Sequence, residues 1–279
     1  MASPASLKMP CSQLVLDRID PLVDPGVMGS PHLHQIVGGN AFNATMDPAD
    51  APADRASCTT CTFTDDFSNY WTAVMYFQAR NGSYRREARN GGMTIYYFPQ
   101  YIEPEKVKIR AFMSGFRMRT GYPSSPGPVV EDQEPTPLEG ITYTCLLHDY
   151  TRTTNLSYGP QQPCPEGILT TIAFPPCWDG QNLDSPDHRS HVAYADGDYN
   201  QGAACPASHP VHIPEVMLEI RWDTRGRRIA PGDQICELPV QTIPAANECM
   251  LAPSVEEDID GWLDTMPGGV VARDWTGSR

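Results

Sequence analysis

The chain has 279 residues, 40% of them hydrophobic, and a formal net charge of −14 at pH 7. This charge argues against nucleic acid and anionic membrane surfaces as main partners, and no apolar run approaches the roughly 20 residues that a membrane span needs. The 28 prolines and 22 glycines indicate many turns and few long helices, so we expect one large, mostly β domain.

Runs rich in aromatic and β-branched residues recur between turn signals along the chain, as expected of strands. We predict strands near residues 69–78, 93–98, 107–116, 140–147, 167–174, 216–222 and 234–240. The polar, proline-containing stretches 43–57 and 121–137 are predicted to be exposed loops. The fold class that follows is a single β-sandwich-like domain over residues 1–245, with long loops and disulfides.

A C-terminal extension, residues 246–279, is predicted to hold one short helix and an irregular tail. The sequence Ser-Val-Glu-Glu at 254–257 fits a capping box at a helix start. Apolar residues follow at helical spacing, namely Val255, Ile259, Trp262, Leu263 and Met266. Gly261 argues against this helix, because glycine weakens a helix interior.

Cysteines and glycosylation sequons together favour a secreted, extracellular glycoprotein. Nine cysteines are present, which is typical of disulfide-bonded extracellular chains, and the odd number leaves one thiol free or paired elsewhere. Asn43, Asn81 and Asn155 each begin an Asn-x-Ser/Thr triplet. The opening residues lack the apolar core of a signal peptide, so we take the sequence as the mature form.

Two cysteine pairs carry specific expectations. Cys58 and Cys61 have the spacing of half a zinc knuckle, but no second such pair exists, so disulfides are the better interpretation. Cys177 and Cys205 bracket a histidine-rich segment, and a disulfide between them would hold that segment rigid.

Six of the seven histidines lie in three short polar segments that glycine and proline interrupt. In the first, His32 and His34 would project from the same face of an extended chain, with Leu33 turned towards the core. Such a pair can bind one metal ion, and the following Gly38-Gly39 allows close backbone approach. The alternative is two surface histidines near a turn.

The second segment places Asp179, Asp184, Asp187, His188 and His191 within thirteen positions. Acids beside histidines either ligate a metal or orient the imidazole from behind, whereas the plain alternative is a polar surface loop. In the third segment His209 precedes a proline, which favours an extended backbone.

The remaining histidines and the aromatic residues carry weaker signals. His148 is isolated and His212 leads into a predicted strand, so both are expected to be structural. Sugar rings stack on exposed aromatic faces, which makes three side chains candidates for carbohydrate contact: Tyr70, Trp71 and Trp178. Sequence motifs for serine hydrolases, phosphate-binding loops, dinucleotide binding and His-Glu-x-x-His metalloproteases do not occur.

Several motifs, in this order, resemble a secreted fungal domain family of unknown function that is often joined to WSC carbohydrate-binding modules. They are Asp20-Pro21-Leu22-Val23-Asp24-Pro25-Gly26, His32-Leu33-His34-Gln35-Ile36-Val37-Gly38-Gly39, Ser68-Asn69-Tyr70-Trp71-Thr72, Gly115-Phe116-Arg117-Met118, the segment 177–194 and the segment 205–214. The resemblance covers roughly residues 10–240 and implies secretion from a fungus, a β-rich fold and action on cell-wall or plant polysaccharide.

The resemblance also bears on individual residues. It favours five histidines over His148 and His212, namely His32, His34, His188, His191 and His209. Members of the family usually continue with another histidine and an aspartate before a Gly-Trp pair. Here Asp260 precedes Gly261-Trp262, but the histidine is missing, which implies an altered activity or a differently completed site.

Our leading hypothesis is a metal-dependent enzyme acting on polysaccharide. His32, His34 and His209 would be metal ligands, and the catalytic set would comprise Asp187, His188, His191 and Tyr194. Copper or zinc suits imidazole ligands. Copper would support oxidative cleavage, and zinc would activate a water for hydrolysis.

Two alternatives remain open. The first is a metal-free polysaccharide lyase, in which a histidine removes a proton beside a uronic carboxyl group, Tyr194 protonates the leaving oxygen and Arg189 neutralises the carboxylate. The second is a non-catalytic cell-wall protein that binds carbohydrate. In all three hypotheses the partner is a polysaccharide, and the substrate-binding candidates are Tyr70, Trp71, Trp178 and Arg189.

Overall fold

A computed structural model describes residues 6–47, 49, 52–79, 81–86, 88–89, 92–99, 108–121, 140–148, 151–153, 160, 163–197, 203–224, 249–255 and 263. The elements in chain order are β1 (Leu7–Cys11), β2 (Val15–Asp17), β3 (His34–Gly38), α1 (Pro52–Arg55), β4 (Asn69–Ala73), β5 (Tyr76–Gln78), β6 (Tyr84–Arg86), β7 (Ala88–Arg89), β8 (Met93–Phe98), β9 (Ile141–Cys145), β10 (Ile168–Ala173), β11 (Cys177–Trp178), β12 (Val192–Ala193), β13 (Val211–His212) and β14 (Glu215–Asp223). The mostly β fold class is confirmed.

The main sheet is antiparallel and has six strands, in the order β1-β8-β14-β10-β9, with β7 paired to the end of β14. Two three-stranded sheets, β2-β3-β4 and β11-β12-β13, and the hairpin β5-β6 complete the β structure. In β14 every second residue from Val216 to Trp222 is buried, and the residues between them are half-buried. This period of two is expected when one face of a sheet covers a core.

The largest core lies between the main sheet and the sheet β2-β3-β4. Ile95 and Leu218 of the main sheet share one cluster with Val37 of β3, and burying each such side chain contributes about 1.5–3 kcal/mol. On the opposite face of β3, Ile36 packs into a second cluster with Leu14 and other apolar residues. The two facing sheets give the sandwich-like arrangement expected from the sequence.

The third sheet packs through an irregular segment that runs from residue 108 to residue 121. Trp178, Val192 and Ile213 form its core, and Phe112 and Met118 contact both this core and that of the main sheet. The predicted strand at 107–116 is wrong for the described residues 108–116, which contain no strand. Here the Arg110 N–H donates to His212 O of β13 at 2.8 Å and the Phe116 N–H donates to Met113 O at 3.1 Å, without a continuous ladder, and the aromatic residues of the segment fill space between clusters.

The other strand predictions near 93–98, 140–147, 167–174 and 216–222 coincide with β8, β9, β10 and β14, and the run 69–78 divides into β4 and β5. The predicted loop 43–57 contains the short helix α1. The strand at 234–240, Cys236, Asn155 and the boundary at residue 245 lie outside the described residues. Most of the predicted C-terminal helix also lies outside them, but Leu263 forms an antiparallel bridge with Tyr84.

Four disulfides join the described cysteines: Cys11–Cys61, Cys58–Cys249, Cys145–Cys164 and Cys177–Cys205. The preference for disulfides over a zinc knuckle is confirmed, as is the bond that brackets the histidine-rich segment. Beside Cys249, Leu251 N–H donates to Leu14 O at 3.0 Å, so the C-terminal segment contacts the strand region of the domain.

The glycine pair after β3 is required by close backbone packing. A Cβ at Gly38, whose φ is +108°, would lie 1.9 Å from Ser68 O, and a Cβ at Gly39 would lie 2.5 Å from Phe67 O. Only glycine lets the chain before β4 approach so closely. Among the described residues, no helix has the length and apolar character to cross a membrane.

Candidate functional site

Residues 117–119 connect to the second histidine segment through their main chain. Arg117 N–H donates to Leu183 O at 3.0 Å, and Arg119 N–H donates to His188 O at 2.9 Å. The Nε of Arg119 donates to Asp187 O at 2.9 Å. The 183–191 loop is therefore fixed against an irregular segment that itself packs on two cores.

His188 is held by a carboxylate at one ring nitrogen. Its Nδ1 lies 2.6 Å from Asp184 Oδ1, and the two side chains are 21% and 24% exposed. Within the described ranges, no protein group hydrogen-bonds to Nε2. The backbone of His188 has φ +55°, the only positive value at a described non-glycine residue. Such conformations are uncommon outside glycine and concentrate at functional sites.

Asp187 organises the loop. Its carboxylate accepts hydrogen bonds from the Ser185 hydroxyl at 2.8 Å, from the Ser190 hydroxyl, and from the N–H groups of Arg189 at 3.1 Å and Ser190 at 2.9 Å. These bonds, those from Ser190 first, hold the pKa of Asp187 well below its usual range. The predicted catalytic aspartate thus has its acceptor positions occupied by its own loop.

His191 is a buried support for the same loop. It is 1% exposed, and its Nε2–H donates to Arg117 O at 2.7 Å while Nδ1 lies 2.8 Å from Ser185 Oγ. Its ring packs 5.3 Å from that of Phe116. Burial lowers the pKa of His191, against the nearby carboxylates. With both nitrogens engaged, this predicted catalytic histidine is placed as a structural group.

His34 forms a second histidine–carboxylate pair, in a buried position at the start of β3. Its Nδ1–H donates to Ile19 O at 3.1 Å, and its Nε2 lies 3.8 Å from Asp20 Oδ2. Burial lowers the pKa of His34, and the charge of Asp20 opposes this. The half-buried His32 ring lies edge-on, 6.0 Å away between centroids, so the first two predicted ligands are neighbours.

Arg119 is hydrogen-bonded to the His188 loop and is also influenced by the charge of Asp20. Burial lowers its pKa and the charge of Arg189 lowers it further, while Asp187 and then Asp20 raise it. Arg119 is therefore within electrostatic reach of the Asp20–His34 pair as well as of the His188 loop, to which it is hydrogen-bonded. Arg119 was not among the predicted site residues, although it directly follows the Gly115-Phe116-Arg117-Met118 motif.

His209 and the two histidines of lower priority lie apart from this arrangement. His209 Nε2–H donates to Ser190 O at 3.0 Å, and its Nδ1 is 2.9 Å from Ser208 Oγ, so it contacts the outer side of the loop. His212 is buried with Nδ1 3.3 Å from Cys205 Sγ. His148 is exposed and paired with Glu166 at 3.2 Å.

These contacts bear on the expected metal. Across the residues that the structure describes, no three His, Cys, Asp or Glu side chains are grouped so as to hold a metal ion. His34 and His209 are adjacent to different loops, and His209 has both nitrogens in hydrogen bonds. The described residues therefore do not fit the copper or zinc site that the sequence led us to expect.

The predicted aromatic contacts are mainly part of the core. Trp178 is 4% exposed and its indole N–H donates to Asn182 O at 2.6 Å. Trp71 packs on Phe42, and the Tyr70 hydroxyl donates to Asp66 at 2.8 Å. Trp178 therefore offers no exposed face for stacking a sugar, and the Tyr70 and Trp71 side chains are half-buried.

Tyr194, the predicted proton donor, uses its hydroxyl within the fold. The hydroxyl donates to Ala173 O at 2.7 Å and lies 2.7 Å from Thr120 Oγ1. Thr120 follows Arg119 directly, so Tyr194 supports the segment that carries this arginine.

The fold and site define a disulfide-bonded, mostly β domain with two histidine–carboxylate pairs and an arginine at the junction of three chain segments. Residues 20–240 match the family described as Domain of unknown function (DUF1996), and the chain belongs to this family. The expected membership of a family of unknown function is thus confirmed. No curated protein and no solved structure matches the chain. The matched range includes every histidine discussed above.

Proposed function

We propose that this protein is a secreted carbohydrate-active enzyme that cleaves a uronic-acid-containing polysaccharide by β-elimination, with His188 as the general base. The observation that carries the proposal is the state of its two ring nitrogens. Nδ1 is fixed to Asp184 at 2.6 Å, and Nε2 has no protein partner among the described residues. A histidine oriented by a carboxylate, with the other nitrogen available, is the usual form of a protein general base.

Asp184 has two effects on this base. It fixes the tautomer, because Nδ1 must carry the proton that the carboxylate accepts, so the lone pair is on Nε2. It also stabilises the imidazolium that forms when Nε2 takes up a proton. The bonds around Asp187 hold the loop that presents the ring, which meets the need for a rigid support.

The reaction balances without an oxidant or reductant. The proton on the carbon beside the carboxyl group moves to His188 Nε2, and the bond between the neighbouring carbon and the glycosidic oxygen breaks. The electron pair of the C–H bond becomes the new C=C bond. The leaving oxygen takes a proton, and His188 can return the one that it removed. The predicted donor Tyr194 is less suited to this step, because its hydroxyl donates to Ala173 O. The products are an unsaturated uronic sugar and a new chain end.

The other two hypotheses have less support from the described residues. The metal-dependent enzyme lacks a grouped ligand set within them. A purely carbohydrate-binding role would be favoured by exposed aromatic rings, but Trp178 is buried.

The proposal includes export and N-glycosylation. Four disulfides among the described residues suit an oxidising compartment. Asn43 and Asn81 are both exposed, and Asn81 lies between β5 and β6 with the Ser83 hydroxyl donating to its Oδ1 at 2.7 Å. Expression through a eukaryotic secretory pathway should give a glycan at each, detectable as a mass loss on enzymatic deglycosylation.

The test is an activity assay on a panel of acidic polysaccharides, with unsaturated products followed by ultraviolet absorbance and mass spectrometry. We expect activity that survives a metal chelator and is abolished in His188→Ala. His148→Ala is the matched control, because His148 is also paired with a carboxylate but is exposed and outside the site. Equal activity of His188→Ala and the parent, or activity lost on chelation, would contradict the proposal.

A further inference from the structure

We infer that Arg119 forms an anion-binding subsite beside His188 that takes the carboxylate group of the substrate. This inference rests on the proposed function, because it assigns the recognition of the uronic acid group on which elimination depends. An arginine suits the task, since its planar guanidinium can bind a carboxylate through two parallel hydrogen bonds.

The position of Arg119 is fixed by two bonds to main-chain oxygens. Its N–H donates to His188 O at 2.9 Å, and its Nε donates to Asp187 O at 2.9 Å. Both accepting residues belong to the loop that carries the base. In the part of the chain that the structure describes, the two Nη groups of Arg119 have no hydrogen-bond partner. The guanidinium is therefore held at its inner edge and can bind a ligand at its outer edge.

Among the described residues, no carboxylate is hydrogen-bonded to the Arg119 guanidinium, although the charges of Asp187 and Asp20 act on it. Asp187 is its nearest acid along the loop, but that carboxylate accepts four hydrogen bonds from Ser185, Arg189 and Ser190. Arg119 contacts the main-chain oxygen of Asp187 instead. The guanidinium of Arg189 interacts unfavourably with that of Arg119. An anion bound at the Nη groups of Arg119 would offset this unfavourable interaction.

This local positive charge is notable in a chain with a net charge of −14. Such a protein repels a polyanion, but salt largely screens this repulsion at separations beyond about 8 Å at physiological ionic strength. A carboxylate that reaches Arg119 meets a fixed cation in a partly buried position, where screening is weaker. Arg119 would therefore favour binding of an acidic sugar next to His188, whereas the net negative charge of the protein would slow the association of an acidic substrate.

The same contact has a consequence for the chemistry. A carboxylate bound by a guanidinium can accept the negative charge that develops when the neighbouring C–H proton is removed. Since Arg119 N–H bonds to the carbonyl oxygen of His188 itself, the anion subsite and the base are linked through adjoining main-chain atoms. In this proposal, the residue that binds the carboxylate and the residue that removes the proton are joined by one main-chain hydrogen bond.

The test separates binding from turnover. Trimers of galacturonate, glucuronate, mannuronate and guluronate are titrated by calorimetry against the parent chain, Arg119→Ala, Arg119→Lys and His188→Ala. The best-bound trimer is then compared with its methyl ester. The matched control is Arg152→Ala, an exposed arginine outside the loop contacts described here, and circular dichroism checks that each variant is folded.

We expect Arg119→Ala to weaken binding of the acidic trimer by about 10- to 100-fold, as for loss of a charge-assisted pair. Arg119→Lys should recover part of this loss, and Arg152→Ala should bind as the parent does. The methyl ester should bind weakly to the parent and equally weakly to Arg119→Ala. His188→Ala should bind normally yet produce no unsaturated sugar.

The failures are distinguishable. Unchanged binding in Arg119→Ala overturns the subsite and leaves the proposed function standing, provided that His188→Ala is inactive. Activity in His188→Ala overturns the proposed function, whatever Arg119→Ala does. If the parent chain binds none of the four acidic trimers, the anion subsite is overturned.

Discussion

Replacing His191 by alanine is expected to lower the free energy of unfolding by about 3–5 kcal/mol, although His188→Ala, three residues away, costs less than about 1 kcal/mol. The two histidines belong to one loop, and both were predicted to be catalytic. Their surroundings differ, because the His191 ring is buried among protein groups and the His188 ring is partly open to solvent.

The magnitude for His191 follows from three losses. Removing Nε2–H leaves the carbonyl of the half-buried Arg117 without its donor at 2.7 Å, which costs about 1–2 kcal/mol. The contact with Ser185 Oγ at 2.8 Å contributes about 1 kcal/mol. Loss of the ring beside Phe116 removes buried apolar contact worth about 1–2 kcal/mol.

His188 has one hydrogen bond to lose, and its backbone offsets part of that loss. The contact with Asp184 is partly solvent-exposed, so its net contribution is small. The residue holds φ +55°, which glycine adopts without steric cost. His188→Gly should therefore be at least as stable as His188→Ala, while both lack the proposed base.

The assay is equilibrium urea unfolding of the oxidised protein, followed by tryptophan fluorescence. Trp178 is a suitable probe because its ring centroid lies 6.0 Å from that of Phe116, which packs on His191. A loss below about 1 kcal/mol in His191→Ala, or an equal loss in His188→Ala, would refute the structural assignment of His191.

The pH dependence provides an independent check. Burial lowers the pKa of His191 from its ordinary value of 6.5, so the folded state prefers the neutral ring. The stabilisation is full above pH 6.5, begins to decline below it, and is lost once the pH falls through the lowered folded pKa. The difference in stability between the parent and His191→Ala should therefore narrow in acid.

Three further predictions concern other parts of the fold. Gly38→Ala should cost on the order of 3 kcal/mol or prevent folding, measured by urea unfolding, because its Cβ would lie 1.9 Å from Ser68 O; a stable variant would contradict this packing. Burial raises the pKa of Glu215 from 4.5 to about 7, so its neutral carboxyl stabilises the fold below pH 4.5 and this contribution is lost as the pH rises through 7. Above pH 7 the free energy of unfolding of Glu215→Gln should exceed that of the parent by up to about 3 kcal/mol. An equal difference at all pH values would disprove the assignment. Replacing Cys177 and Cys205 by serine opens a bond with a sequence separation of 28 and should cost about 3–4 kcal/mol; thermal unfolding matching the parent would argue against it.

Runs rich in aromatic and β-branched residues were sufficient to predict β8, β9, β10 and β14, whereas β1 and β7 of the same sheet were not predicted. The run at 107–116 was mistaken for a strand because its aromatic residues are also packed against apolar side chains. In the described residues 108–116, however, they fill space between two hydrophobic clusters and do not belong to a hydrogen-bonded strand. Binary patterns do not distinguish these two ways of burying a ring.

The sequence indicated which segments carry the site histidines, but it did not indicate which groups their ring nitrogens contact. The sequence placed Asp184 and His188 in one acidic, histidine-bearing segment, but the predicted catalytic set contained Asp187 and not Asp184. By contrast, the ring of His191 bonds to a main-chain carbonyl at Arg117 and that of His34 to one at Ile19. Every residue carries a carbonyl, so no side-chain pattern marks these acceptors, and a buried support looks the same in sequence as a metal ligand.

The Cys58–Cys249 bond closes a large covalent ring in the chain, since the two cysteines are 191 positions apart. A protease that makes one cut between these cysteines opens the ring without releasing a fragment. Such a nicked chain would migrate as one species on a non-reducing gel and as two after reduction. If the protein is secreted as proposed, this closure would keep both parts of the chain together after a first cleavage.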